Sequence, residues 1–114
     1  MAKIYKIIAE ADWELALRAG RFEGAAIDLR DGYIHLSTAA QAPETARLHF
    51  AGQTGLALLQ LDTTRLGQAL KWEPSRGGQL FPHLYGPLDP ALVEAVTDMP
   101  LDADGVPQLG ELPA

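Results

Sequence analysis

The stretch that most constrains the fold is Leu56–Asp62 (LALLQLD), a nearly continuous apolar run bounded by Gly55 on one side and Thr63-Thr64 on the other. A run this short, with no helical spacing, fits a strand buried on both faces, and it is the expected central strand. Two further stretches set a histidine between bulky apolar residues. They are Tyr33-Ile34-His35-Leu36-Ser37-Thr38, entered through the turn signal Asp31-Gly32, and Phe81-Pro82-His83-Leu84-Tyr85-Gly86. Neighbouring side chains alternate faces along a strand, so each imidazole takes one face and its apolar neighbours the other. Two such strands can bring both rings to one cleft.

Around these strands the pattern is of class α+β. Lys3–Ala9 is rich in Ile and Tyr and reads as a strand beginning almost at the first residue. Asp12 before Trp13, Leu15, Ala16 and Leu17, with Gly20 behind them, predicts a helix over about 12–19 capped by Asp12. The segment Arg21–Arg30 is broken by Gly24, and Ala25–Leu29 within it fits either a short helix or an irregular loop, so it is left unassigned. Thr38 and Gln41 have the spacing of a capping box, and Pro43 is tolerated only in a first turn, so a second helix starts within 38–42 and stops by Gly52. Thr63–Leu66 fits a helical turn, Ala69–Glu73 a strand, Pro74–Gly78 a loop, and Leu92–Val96 a last strand or short helix. Leu80–Tyr85 is expected as a strand confined to an edge or a bulge, because Pro82 gives the ladder no donor. The 114 residues fit one domain over 1–100, with a partly ordered C-terminal tail at 101–114 that holds Pro, Gly and acids.

Composition narrows the function classes. The chain has no cysteine, which excludes disulfides, thiol catalysis and thiolate metal sites and agrees with a cytoplasmic location. Neither a membrane-spanning apolar run nor a signal peptide is visible. With 15 acidic and 9 basic residues, net charge −6, no broad nucleic-acid-binding surface or membrane partner is expected; a monomer with a small-molecule partner is. Metal-ligand spacings such as HxxxH or HxH are absent, so no metal is expected. Ser37 has no nucleophile elbow around it and is explained equally by helix capping, and Gly77-Gly78 lacks the spacing of a phosphate loop.

Three histidines remain, His35, His49 and His83. Any one of them taken alone reads as a buried ring bonded to a backbone carbonyl; His35 and His83 as a pair point to a site. His49, near the end of the second helix, is assigned a structural role. Trp72, Glu73 and Tyr85 add an aromatic face and a carboxylate of the kind that suits stacking and the holding of ribose hydroxyls.

Taken together, Ile4-Tyr5-Lys6-Ile7, Trp13, Asp31–Ser37, Gln41, Trp72-Glu73 and Phe81–Leu88 resemble the small bacterial family of domain of unknown function 952, over about residues 3–96. The resemblance implies a fold similar to ADP-ribosyltransferases, a split and bent β-sheet with two or three short helices that grips NAD, as substrate, between its halves. The string Tyr33–Ser37 is also similar to a strand of the RNA 2′-phosphotransferases. By that likeness His35, His83 and Glu73 would be catalytic, and Ser37, Thr38, Trp72, Tyr85 and Arg76 would contact the nucleotide. Two departures stand out. Lys6 occupies a place where many members of that superfamily carry histidine, and the late catalytic glutamate has only Glu94, or else Glu73, to fill it. The expected function is therefore an ADP-ribosyltransferase-like or RNA 2′-phosphotransferase-like enzyme, with a non-catalytic nucleotide- or metabolite-binding module as the alternative.

Overall fold

In the computed structural model, which describes residues 2–114, the chain runs β1 (Lys3–Ala9), α1 (Glu10–Ala19), α2 (Ala26–Asp31), β2 (Ile34–His35), β3 (Ser37–Thr38), α3 (Ala42–His49), β4 (Leu56–Asp62), β5 (Leu70–Pro74), β6 (Leu80–Leu84) and β7 (Val93–Asp98). The strands form two antiparallel sheets, one of four strands in the order β3-β1-β4-β7 and one of three in the order β2-β6-β5. The class is α+β, with three α-helices among the described residues.

Strand β4 occupies the expected interior position, paired along its length with β1 and on its other side with β7. Both faces of this sheet are covered, which is why β1 and β4 carry apolar residues at nearly every position. On one face Ile4, Ile8, Ala57, Leu59 and Leu61 pack with Trp13 and Ala16 of α1 and with Phe22, Ile34, Leu84 and Leu88. On the other, Tyr5, Ile7, Leu56 and Leu58 pack with Ala42 and Ala46 of α3 and with Met99. Leu109 and Leu112 of the C-terminal tail lie against this second core, and the Tyr5 hydroxyl donates to the carbonyl of Pro113.

Several expectations are corrected. Helix α1 begins at Glu10, and its N-cap residue is Ala9, with no side-chain bond; Asp12 stands inside the first turn, where its charge still favours the helix dipole. The unassigned segment holds α2, whose first turn is fixed by Asp28 accepting from the Ala25 N–H at 2.8 Å. Gly24 before it has φ +125°, and a Cβ there would meet the Asp28 Cβ at 2.8 Å, so only glycine lets the chain approach. The Thr38–Gln41 box does form, with reciprocal bonds of 3.0 and 3.2 Å, although it closes the turn that precedes α3 and the helix proper starts at Ala42.

The largest departure is Pro82. It sits in β6, the middle strand of the three-stranded sheet, rather than at an edge or a bulge. The reason lies across the ladder. Leu36 N–H donates to the Pro82 carbonyl at 3.1 Å, and the return bond has no donor because Pro82 lacks an N–H. The β2–β6 ladder therefore ends at its His35–His83 rung, and from Ser37 onward the chain pairs with Ile4 and Tyr5 of β1. What reads as one strand is two short ones in different sheets. The sheets separate at Leu36.

Candidate functional site

The split leaves a cavity of about 350 Å³, reached where β3 stops and the Lys6–Ile7 stretch of β1 is no longer paired on that side. Its walls include His35, Ser37 and His83 from the split strands, Thr45 and His49 from α3, and Ser75 and Arg76 from the loop after β5. That size falls in the range of small-molecule sites. All three histidines of the chain line it, and among the described residues no aspartate or glutamate does.

Register explains how the histidines meet. His35 and His83 are directly opposite one another, so their rings leave the same face of the sheet, with centroids 5.8 Å apart. Tyr33 covers them from the turn side, stacked on His83 at 4.0 Å and tilted to His35 at 4.7 Å. Each ring is then held by a different carboxylate.

Asp28, 1% exposed, holds His35. Its Oδ1 accepts from the His35 backbone N–H at 3.0 Å and lies 2.6 Å from the His35 Nδ1. The Lys6 ammonium completes the cluster at 3.0 and 3.1 Å from the two carboxylate oxygens, and Asp31 Oδ2 stands 2.9 Å from the His35 Nε2. Burial opposes the charge on Asp28, but the His35 bonds and the Lys6 ammonium prevail and hold its carboxyl at about 2. Burial pushes the Lys6 ammonium below its ordinary value against the pull of Asp28.

Glu73 holds His83. Its Oε1 lies 2.8 Å from the His83 Nδ1 and accepts from the Tyr85 hydroxyl at 2.7 Å. The bond to Tyr85, then that to His83, keep the Glu73 carboxyl below the usual carboxylate range, while Glu73 lifts the Tyr85 phenol to about 12. Glu73 therefore stays an acceptor and Tyr85 a donor at neutral pH. With Nδ1 committed to Glu73, Nε2 is the ring nitrogen His83 has left for a ligand.

At the other end, Arg76 Nη1 donates to the Thr45 hydroxyl at 3.2 Å, and the guanidinium carbon lies 4.9 Å from the centre of the Phe81 ring. Its Nη2 is buried and makes no hydrogen bond. Leaving such a donor unsatisfied costs about 1–3 kcal/mol.

Of the residues singled out from the sequence, His35, Ser37, His83 and Arg76 line the cavity. Glu73 and Tyr85 do not line it and reach it through His83. Trp72 pairs with Pro82 and so leaves the opposite face of its sheet, half exposed. Thr38 is used in the turn before α3, and Glu94 bonds Lys3 and Gln60 on β7, the far edge of the other sheet. Sequence reasoning missed Lys6, Thr45 and His49 as wall residues and Asp28 as the anchor of His35. The i, i+4 spacing of Thr45 and His49 on one helix face was the available signal. Among the described residues no group of histidines and carboxylates is arranged to hold a metal ion, and no helix is long and apolar enough to cross a membrane.

The family model described as "Protein of unknown function (DUF952)" matches residues 7–96, a span that contains both histidine strands and the Pro82 break between the sheets. The chain belongs to this family. Two solved structures of protein CC0527 from Caulobacter crescentus share its fold. The crystal structure is 56% identical, covers 95% of both chains and superposes with a TM-score of 0.93. The solution structure, also 56% identical, covers 96% of this chain and 95% of that one with a TM-score of 0.87. Among curated proteins none matches. The family description assigns no activity.

Proposed function

We propose that this member of the family is an ADP-ribosyltransferase-like enzyme that binds NAD in the cavity between its sheets. The observation that carries the reading is the His35–His83 rung at the point where the two sheets part, with Ser37 alongside and one imidazole nitrogen left for a ligand. The pocket is mainly apolar with a few convergent polar groups, which suits a nicotinamide ring and its ribose.

In such a transfer the bond between ribose C1′ and the nicotinamide nitrogen breaks with its electron pair leaving on nicotinamide. An acceptor oxygen bonds to C1′ and gives up its proton. His83 Nε2 is the group placed to take that proton, oriented by Glu73 and, behind it, Tyr85. His35 is the fixed partner, held between Asp28 and Asp31. Glu73 and Tyr85 act here as positioning residues.

One observation favours a non-catalytic nucleotide- or metabolite-binding module: among the described residues no carboxylate lines the cavity to support a developing oxocarbenium charge. A ¹⁵N chemical-shift titration with NAD, following the amides of 33–38 and 81–86, separates the readings when paired with an assay for released nicotinamide. Saturable shifts at both stretches with release support the enzyme. Shifts without release favour the module, and silence at millimolar NAD removes the NAD reading altogether.

A further inference from the structure

We infer that the Arg76 end of the same cavity is a phosphate subsite, built to take the pyrophosphate or phosphate of a phosphorylated ligand. The inference rests on the cavity being a ligand site and names the chemistry of that ligand's charged part. Arg76 Nη2 is, among the described residues, the one buried side-chain nitrogen or oxygen without a hydrogen-bond partner. The carboxylate oxygen that approaches it, Glu44 Oε2, stands 4.0 Å off, beyond hydrogen-bond reach, and the other oxygen of Glu44 faces Arg47. A guanidinium fixed at one nitrogen by Thr45, laid on Phe81 and buried without a partner at the other nitrogen has a donor to spare, which a small shift of the side chain would offer to an acceptor in the cavity.

The surroundings agree in donor type. The chain carries net charge −6, yet among the described residues no acid lines the cavity, and of its two wall cations Lys6 is already paired with Asp28, which leaves Arg76 as the one for a ligand. The Ser37 hydroxyl lies 3.2 Å from that of Thr45 and can turn to donate to an oxygen bound by Arg76. The loop that brings Arg76 over the cavity is folded by a Gly78 N–H bond to the Ser75 carbonyl and a Ser75 N–H bond to the Gln79 carbonyl, both 2.9 Å. The imidazole rung and the arginine thus face one chamber from different elements. A ligand with a planar ring at one end and phosphate at the other satisfies both.

The experiment is calorimetric titration of the full chain with inorganic pyrophosphate, ADP-ribose and nicotinamide, in the wild type and in Arg76→Ala, with Ser37→Ala as a second variant. Pyrophosphate and ADP-ribose are expected to bind the wild type and to lose at least about tenfold in affinity in Arg76→Ala, with nicotinamide unchanged. In the wild type, the Arg76 side-chain NMR resonances should move on adding pyrophosphate, a readout that does not depend on the variants folding. Equal pyrophosphate affinity in Arg76→Ala, or no response of Arg76 at millimolar pyrophosphate, overturns the subsite. Arg76-dependent pyrophosphate binding with silence toward ADP-ribose and nicotinamide keeps the subsite and removes the NAD reading. Nicotinamide binding without pyrophosphate binding does the reverse.

Discussion

His35 and His83 sit opposite each other on one rung, and both commit Nδ1 to a carboxylate, but the two clusters differ in what surrounds the carboxylate. Asp28 is fully buried and accepts from a lysine ammonium, two backbone N–H groups and an imidazole. Glu73 stands at the surface and accepts from one imidazole and one phenol. The first cluster ties α2, β1 and β2 together, so its histidine is held at both ends by the fold. The second ties only neighbouring strands of one sheet and leaves its histidine a nitrogen facing the cavity. The same pair of residue types is thus locked into the fold on one side of the rung and tied only to neighbouring strands on the other.

The largest effect that tests this contrast is Asp28→Ala. It strands the Lys6 ammonium in the core and removes the acceptor of the Ala25 and His35 amides, so a loss of about 3–5 kcal/mol is expected in urea denaturation. A loss below about 1 kcal/mol would mean the cluster is no anchor. Acid should expose the same residue. Asp28 lies at about 2 when folded against an ordinary 3.8, so the folded state binds its proton more weakly than the unfolded chain does. Its contribution, about 2 kcal/mol, is complete above about pH 4 and disappears as pH falls through about 2. Asp62, also held at about 2 by its bonds from Thr64, titrates in the same window. Melting temperatures of wild type and Asp28→Asn across that window should converge as pH falls; parallel curves would assign the acid limb elsewhere.

How much of this was legible follows the range over which each signal acts. Strand β4, the start of α3 and the two histidine strands can be read because alternation, capping and turn residues are local. Asp28 cannot, since its partners lie at Lys6 and His35, and nothing in Ala25–Leu29 announces a buried acid. Trp72 falls on the other face from the one its composition suggests, because a one-residue change of register moves a side chain across the sheet and register is set by the partner strand. Pro82 shows the converse. Its local rule, no donor, holds, but the consequence falls on Leu36 across the ladder and splits the sheet there.

On the Glu73 side the expected effects are smaller and more local. Glu73→Gln removes the charge that holds the Tyr85 phenol at about 12, so that group should fall back toward 10.0. Tyr5 is raised chiefly by burial and should not follow. Tyr33, raised first by burial and then by Asp31 and Glu73, should follow less than Tyr85, so Tyr85 should dominate an ultraviolet difference titration between wild type and variant. An unchanged phenol titration would show that Glu73 does not hold Tyr85 in solution, and would leave the stacking of Tyr33 as the main constraint on the His83 ring.

The smallest expected effect is at the break that creates the rung. Pro82→Ala restores an N–H opposite the Leu36 carbonyl and removes two ring carbons from a fully buried position. Losing those carbons costs about 1.5 kcal/mol, and a new ladder bond returns about 1 kcal/mol, so net stability should change by less than about 1 kcal/mol. The informative readout is hydrogen exchange. If the missing donor is what ends the β2–β6 ladder, the amide created at position 82 should be protected and the Ser37 amide, committed to the other sheet, should keep its wild-type rate. A new amide that exchanges as fast as a loop would place the cause of the split in the pairing of Ser37 and Thr38 with β1 instead. The rung would then be positioned by β1 rather than by the proline beside it.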